Sequence, residues 1–388
     1  MAALGLCLPL SLAGANAALG AVTLALILGL RDEELGAKLK TRLTSIFKEP
    51  VFLAGLAYVA ASLLSGLLGA GPASSLRLWP KDLHKLWVLA AVGAAMGGSG
   101  RRGFCLGLAA GASAAALVGI GQSLYIDTGL GFYSRARAFV HPVVYGEMTG
   151  LCLLGAVILY GRSEAGAQSP RARQATTALA CLLAVALLLN QTRAALAAVL
   201  AGFILLGFVE PAWRKRTAAT LLCGALVICL WERLPTGGRT VESIFVGGAG
   251  EPHRMRLTLW SVAWRMFRDH PWTGAGPGHY QTLFTRYFQG LLDGQPVWSS
   301  AHNLFLHQMA ERGLLGLAAL LAFLGTLSVS AWKRSRLKPD GWTFWALSVT
   351  MAFLVMNVTE TAFQTEQAAT LFLAIWTLGQ ARPGDEFL

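Results

Sequence analysis

Apolar runs of about 20 residues, separated by short polar breaks, recur from Ala2 to Leu378. Hydrocarbon supplies no water to backbone amides and carbonyls, so each run has to satisfy its hydrogen bonds internally, which helices do. In chain order the runs are Ala2 to Leu30, Val51 to Leu68, Leu83 to Gly98, Gly103 to Leu124, Pro142 to Tyr160, Thr176 to Leu189, Ala194 to Phe208 and Thr217 to Trp231, then Leu314 to Trp332, Trp342 to Val358 and Gln367 to Leu378. The first is too long for one helix and breaks between Gly14 and Asn16, so it reads as two short spans. The pattern predicts an all-α polytopic membrane protein with about twelve transmembrane helices. With no basic leader or cleavage site evident, the first stretch is expected to be retained.

Charge orients these runs. Only 13% of the residues are charged and 55% are hydrophobic, against about 25% charged in soluble domains. The net charge of +12 would suit nucleic acid in a soluble chain, but here the basic residues sit in alternate short loops. Those loops carry Arg31, Lys38, Lys40, Arg42 and Lys48, then Arg101 and Arg102, then Arg162, Arg171 and Arg173, then Arg214, Lys215 and Arg216, then Lys333, Arg334, Arg336 and Lys338. The positive-inside rule makes them cytoplasmic. Both termini are then inside and the segment from Glu232 to Ala301 outside. The chain divides into transmembrane helices over 1–232, an outer loop with surface helices over 233–313, and further transmembrane helices over 314–388. No nucleic-acid partner is expected.

The six cysteines lie in apolar stretches, without CxxC spacing, and read as packing residues rather than disulfide or zinc ligands. Several outer arginines remain unexplained by orientation: Arg135, Arg137, Arg193, and in the large loop Arg233, Arg239, Arg254, Arg256, Arg265, Arg268 and Arg286. The "NQTR" break at 190–193 is a tight outer turn in which Asn190 or Thr192 can cap the next helix, with Arg193 in its first turn. A cation there opposes the helix dipole unless an anion joins it. The residue either snorkels to headgroups or builds a phosphate site with the helix N-terminus. "SRARAFVHPVVYGEM" repeats the logic, with Arg135 and Arg137 before Pro142 at a helix start. Glu147 just inside answers the dipole or pairs with an arginine.

In the large loop, Leu257, Trp260, Trp264 and Phe267 fall at helical spacing, flanked by arginines, as in an amphipathic helix at the membrane surface. "GAGPG" follows a helix rather than a strand, so it is a turn that can bring backbone near a ligand, not a dinucleotide fingerprint. In "SSAHNLFLHQMAERGLLG", His302 and His307 are about 140° apart around a helix and do not share a metal-binding face. Leu304, Leu306, Met309 and Ala310 can pack against the bundle, and Gly313 can kink the chain before Leu314. The polar residues of this stretch read as the wall of a surface site shared with Arg193, Arg137 and Arg256. The centres of the spans read as almost free of charge.

These stretches resemble one family. "HNLFLHQMAERGLLG" is similar to the H-N-x-x-L-x-x-x-x-E-x-G-x-x-G pattern of the O-antigen ligase and Wzy-type polymerase superfamily. "RLTLW" with "HPWTGAGPGHY", "NQTRAAL" and "NVTE" resemble its other motifs, in order over roughly 135–360. The resemblance implies a GT-C-like fold and an O-antigen ligase (WaaL) activity. Such an enzyme moves a glycan from undecaprenyl diphosphate to lipid A-core at the periplasmic face of the bacterial inner membrane, inverting and without metal, nucleotide or other cofactor. It implies that Arg193 and Arg256 hold the diphosphate, with Arg135 or Arg137, and that His302 serves the acceptor hydroxyl. The glycine usual before Pro142 is absent, which leaves Arg135 and Arg137 undecided. An O-antigen polymerase or a protein O-oligosaccharyltransferase of the same superfamily is the alternative. A membrane transporter is the rival from another class, disfavoured by the expected lack of charge in the span centres.

Overall fold

The computed structural model describes residues 1–125, 135–162, 169–232, 251–289 and 297–381, and among them every regular element is helical. The N-terminal helices are α1 (Ala2–Cys7), α2 (Leu12–Gly29), α3 (Glu33–Lys48), α4 (Pro50–Leu68) and α5 (Pro72–Ala95). Then come α6 (Gly98–Tyr125), α7 (Pro142–Arg162), α8 (Pro170–Asn190), α9 (Arg193–Val209) and α10 (Arg214–Glu232). After the large loop begins follow α11 (Glu251–Asp269), α12 (His279–Tyr287), α13 (Leu304–Leu337), α14 (Gly341–Thr359) and α15 (Glu366–Gln380). Seven of these, α2, α4, α6, α7, α8, α13 and α14, are long and apolar enough to cross a membrane, and α9 is a shorter apolar helix. α1 has six residues, a length of about 9 Å against hydrocarbon about 30 Å thick, so it is no span by itself. It lies instead on glycines of α6, where Gly107 and Gly111 admit the backbone of Ala2 and Leu6, close packing of the kind small residues allow in membranes.

Residues 31–48, expected as a loop, form α3. Asp32 caps it through Leu35 N at 2.9 Å, with Glu33 and Glu34 in the first turn and Lys48 in the last, matching the helix dipole. The basic loops gather at one end of the bundle: Arg42 Nη2 donates to Met96 O at 3.0 Å, Arg216 Nη1 to Gly161 O at 2.9 Å, Arg334 Nη2 to Ala381 O at 3.0 Å and Arg336 Nη1 to Val209 O at 3.4 Å. α14 is the central helix, packed against α7, α9, α13 and α15. Phe353 of α14 stacks on Phe372 of α15 with centroids 4.1 Å apart, and Trp345 Nε1 donates to Leu151 O at 3.0 Å.

Charge nevertheless lies buried beside the start of two of the apolar runs. Asp82, Lys85, Glu311 and Arg312 are all buried, none more than 4% exposed. Arg312 Nη2 meets Asp82 Oδ2 at 2.7 Å, and Lys85 Nζ meets Asp82 Oδ1 at 3.0 Å. Ser62 Oγ donates to Asp82 Oδ2 at 2.6 Å, Tyr58 OH to Asp82 Oδ1 at 3.1 Å, and Arg312 Nε to Ser62 Oγ at 3.0 Å. Hydropathy places Asp82 just before the run at Leu83 and Arg312 just before the run at Leu314, as flanks. Both helices begin about ten residues earlier than the runs, which carries these charges into the protein.

A second, smaller core lies over the outer part of α13. Leu259, Val262, Ala263 and Met266 of α11 pack there with Tyr280, Phe284 and Tyr287 of α12. Leu257 and Trp264 of α11 are each 49% exposed, whereas Trp260 of the same stripe packs partly on this core, so the stripe read from the sequence is only partly the outward face and a second apolar face is buried. The glycine turn packs against α13. Gly274, Gly276 and Gly278 all have positive φ, and their segment docks on the break in α13 at Gly313 (φ 63°, ψ −164°). Ala275 N donates to Ala310 O and Gly276 N to Glu311 O, both at 2.9 Å, while Leu314 N donates to Pro271 O at 2.8 Å and Leu315 N to Trp272 O at 3.1 Å. The kink predicted at Gly313 is present, and the backbone groups it frees are paired by this segment.

Candidate active site at one end of the bundle

Opposite the basic end, the chain places most of its candidate residues together. The loop 299–303 ends at Asn303, whose Oδ1 caps α13 through Leu306 N at 3.0 Å and whose Nδ2 donates to Val358 O at 2.9 Å. His302 precedes it with φ 45°, a left-handed backbone that costs a non-glycine residue about 1 kcal/mol or more. It is held there edge-on to Trp298, with centroids 5.4 Å apart. Its Nδ1 lies 2.7 Å from Glu360 Oε2. Arg256 Nη2, from α11, donates to Glu360 Oε1 at 3.0 Å. Glu360, at the C-terminal cap of α14, thus joins three segments distant in sequence. Glu360 is 8% exposed at the side chain, whereas His302 and Arg256 are 26% and 33% exposed. The carboxylate is fixed and its two partners reach the surface.

The second group is built on the turn between α8 and α9. Gln191 takes a left-handed conformation (φ 57°), and Arg193 opens α9, exposed. Neither Asn190 nor Thr192 caps the helix with its side chain, contrary to the sequence expectation. Asn190 Nδ2 instead donates to Ala136 O at 2.6 Å and Pro142 O at 2.8 Å. Thr192 Oγ1 accepts from Arg135 Nη2 at 2.7 Å, while Arg135 Nε donates to Asn190 O at 2.7 Å. Arg135 therefore holds the turn that presents Arg193, and Arg137 is exposed. Arg135→Ala should lower thermal stability in detergent by about 1.5 to 3 kcal/mol, the scale of charged hydrogen bonds. Arg137→Ala should leave the melting temperature unchanged. Equal effects of the two would remove this distinction.

His141, just before α7, joins the two groups. Partial desolvation and the Arg135 guanidinium lower its pKa, Glu360 opposes this, and His302 adds to it. The charges of Arg135, which holds the Arg193 turn, and of Glu360 and His302 all act on it, so both groups lie at this end of the bundle. No motif in the sequence singles out His141. Its place beside a helix-opening proline on the arginine-bearing side was the available signal. Glu147 pairs with neither arginine in any bond the structure records: it is 1% exposed, and its Oε2 is buried without a hydrogen-bond partner among the described residues.

Not every polar group of the 299–316 stretch belongs to this wall. His307 is buried against the Tyr280 ring, with Nε2 3.4 Å from Glu311 Oε2. Gln308, Glu311 and Arg312 face the buried ion cluster. Helical phase explains the division: only the residues before the helix face the surface, and those within it turn inward. Arg233 and Arg239 lie outside the described residues. Among the described residues no three His, Cys, Asp or Glu side chains gather as metal ligands would.

The fold and this surface define an all-helical membrane protein carrying a histidine–carboxylate pair and several arginines at one end of its bundle. Residues 178–321 match the family model Wzy_C, described as O-antigen ligase. The match spans Arg193, Arg256 and His302 and stops short of Arg135, His141 and Glu360. Comparison with the curated proteins gives no match.

Proposed function

We propose that this protein is an O-antigen ligase, transferring a glycan from undecaprenyl diphosphate to a hydroxyl of lipid A-core at the periplasmic face of the inner membrane. The observation that carries this reading is Glu360 bridging His302 and Arg256 beside the turn that presents Arg193. The acceptor oxygen attacks the anomeric carbon, with inversion, and its proton passes to His302 Nε2. The bond from that carbon to the diphosphate oxygen breaks. Glu360 accepts the Nδ1–H, which leaves Nε2 as the acceptor and favours the imidazolium that forms. Arg193 and Arg256, with Arg137 at the rim, meet the charge on the departing undecaprenyl diphosphate. The step needs neither metal nor nucleotide.

The buried cluster of Asp82, Lys85, Glu311 and Arg312 is the feature a transporter would require. Its charges are paired with one another at 2.7–3.3 Å, the arrangement of a structural brace. The deciding assay mixes the purified protein, a lipid-linked glycan and lipid A-core, with chelator and without nucleotide. Glycan on lipid A-core is the expected product. Elongated glycan on the lipid carrier identifies a polymerase instead, and no transfer ends the proposal. Arg193→Ala should abolish transfer at normal protein accumulation. Arg193→Lys should recover part of it, because lysine keeps the charge and loses the bidentate fork. Full activity in the alanine variant would remove Arg193 from the site.

Orientation follows the clustered basic loops. A reporter fused after Arg216 or Arg336 should be cytoplasmic and one near Gly248 periplasmic. A cytoplasmic signal at Gly248 would place the site on the wrong side of the membrane.

A further inference from the structure

At the basic end of the bundle, far from His302, a cavity of about 1120 Å³ opens between α3, α4, α5, α13 and α15. Drug-sized pockets run to about 1,000 Å³, so the space suits something larger than a metabolite. Leu39 and Ile46 of α3, Leu89 of α5, Val329 of α13 and Trp376 of α15 give it apolar walls. Lys38 and Arg42 stand on one side and Lys333 and Arg334 on the other, with Glu49 the single acidic residue of the lining. Arg334 Nε and Gln380 Nε2, both from lining residues, are buried donors without a hydrogen-bond partner among the described residues. Apolar walls with cations at the rim are complementary to one chemistry, an anion attached to acyl chains.

We infer that this cavity binds an anionic phospholipid, with its acyl chains between α3 and α13 and its phosphate near Lys333 and Arg334. Basic pockets between transmembrane helices on the face that carries the positive loops hold such headgroups. α3 suits the role of an outer wall. It is amphipathic, with Lys38, Lys40 and Arg42 among apolar residues, and it lies against α5 and α4. Gly325 lines the cavity, and a Cβ added there meets nothing within 4 Å. A larger side chain at Gly325 fills the space without displacing the protein, and replacing a helical glycine also favours the helix.

The test is native mass spectrometry of the purified full chain in detergent, titrated with dioleoylphosphatidylglycerol and, separately, dioleoylphosphatidylcholine. Phosphatidylglycerol should bind at least about tenfold more tightly. Combining Lys38→Gln with Lys333→Gln should weaken phosphatidylglycerol by about tenfold and leave phosphatidylcholine unchanged. Gly325→Leu should remove tight binding of the anionic lipid with the melting temperature preserved. Excess glycerol 3-phosphate should not compete, since it lacks the chains. Equal binding of the two lipids, competition by glycerol 3-phosphate, or phosphatidylglycerol binding that survives either variant overturns the inference.

Discussion

If the proposed function holds, His302→Ala should lower glycan transfer by about 10²- to 10⁴-fold, the usual contribution of a positioned proton acceptor, while the lipid-linked donor should still bind. The donor is retained because Arg193 and Arg256 are untouched, and the loss falls on the acceptor side. Added imidazole should restore part of the rate, because the ring is 26% exposed and its removal leaves Glu360 to receive a free imidazole. Glu360→Gln tests the carboxylate: it keeps the shape and loses the charge that favours imidazolium, so transfer should fall by at least about tenfold. His307→Ala should keep substantial activity, since that ring packs against Tyr280. A His302→Gln variant with near-normal rates would exclude His302 from the chemistry.

Arg312→Met should have the largest effect on the fold. Removing one partner of a buried pair leaves the other charge uncompensated and costs about 3 to 5 kcal/mol. Asp82 would retain Lys85, Ser62 and Tyr58, but Glu311 would lose its guanidinium neighbour. The expected outcome is poor accumulation in the membrane and a markedly lower melting temperature in detergent. Converting Asp82, Lys85 and Arg312 together to leucine or methionine, in a Glu311→Gln background that removes the remaining buried charge, should recover most of the stability, because buried ion clusters are often replaceable by apolar packing. An unaltered melting temperature in the single variant would show that the cluster does not brace α4, α5 and α13.

The combined variant also separates stability from function. If the cluster is a brace, transfer recovers with the fold. A combined variant that folds and fails to transfer would show that the charges themselves are used.

Hydropathy made α4, α7, α9, α14 and α15 legible to within about two residues, because each is apolar along nearly its whole length, and it found α6 and α8 without their first turns. It missed α3, whose charged face reads as a loop, and the first turns of α5 and α13, where Asp82 and Arg312 sit. Their pairing spans 230 residues of sequence, and no local pattern encodes it. At the site, His302, Arg193 and Arg256 were visible because they stand in ordered motifs. Arg135 looked equivalent to Arg137, and only the turn at Asn190 and Thr192, 55 and 57 residues away, separates a bracing guanidinium from an exposed one. Glu360 stands in the sequence only as the last residue of "NVTE". Its link to His302 needs the end of α14 and the start of α13 to meet.

α11 carries one apolar face turned inward, through Leu259 and Met266, and another turned outward, through Leu257 and Trp264. A helix buried on one side and greasy on the other behaves as a float whose height is set by the lipid around it. Arg256 rides on that float, and Glu360 moors it to the end of a membrane helix. On the proposed function, the guanidinium would then be kept at the level of the lipid phosphates, where a polyprenyl diphosphate diffusing in the leaflet would arrive in register. Bilayer thickness then becomes a tuning variable for the reaction: lipids with shorter or longer chains would shift the float against its mooring and change the rate without altering a single residue.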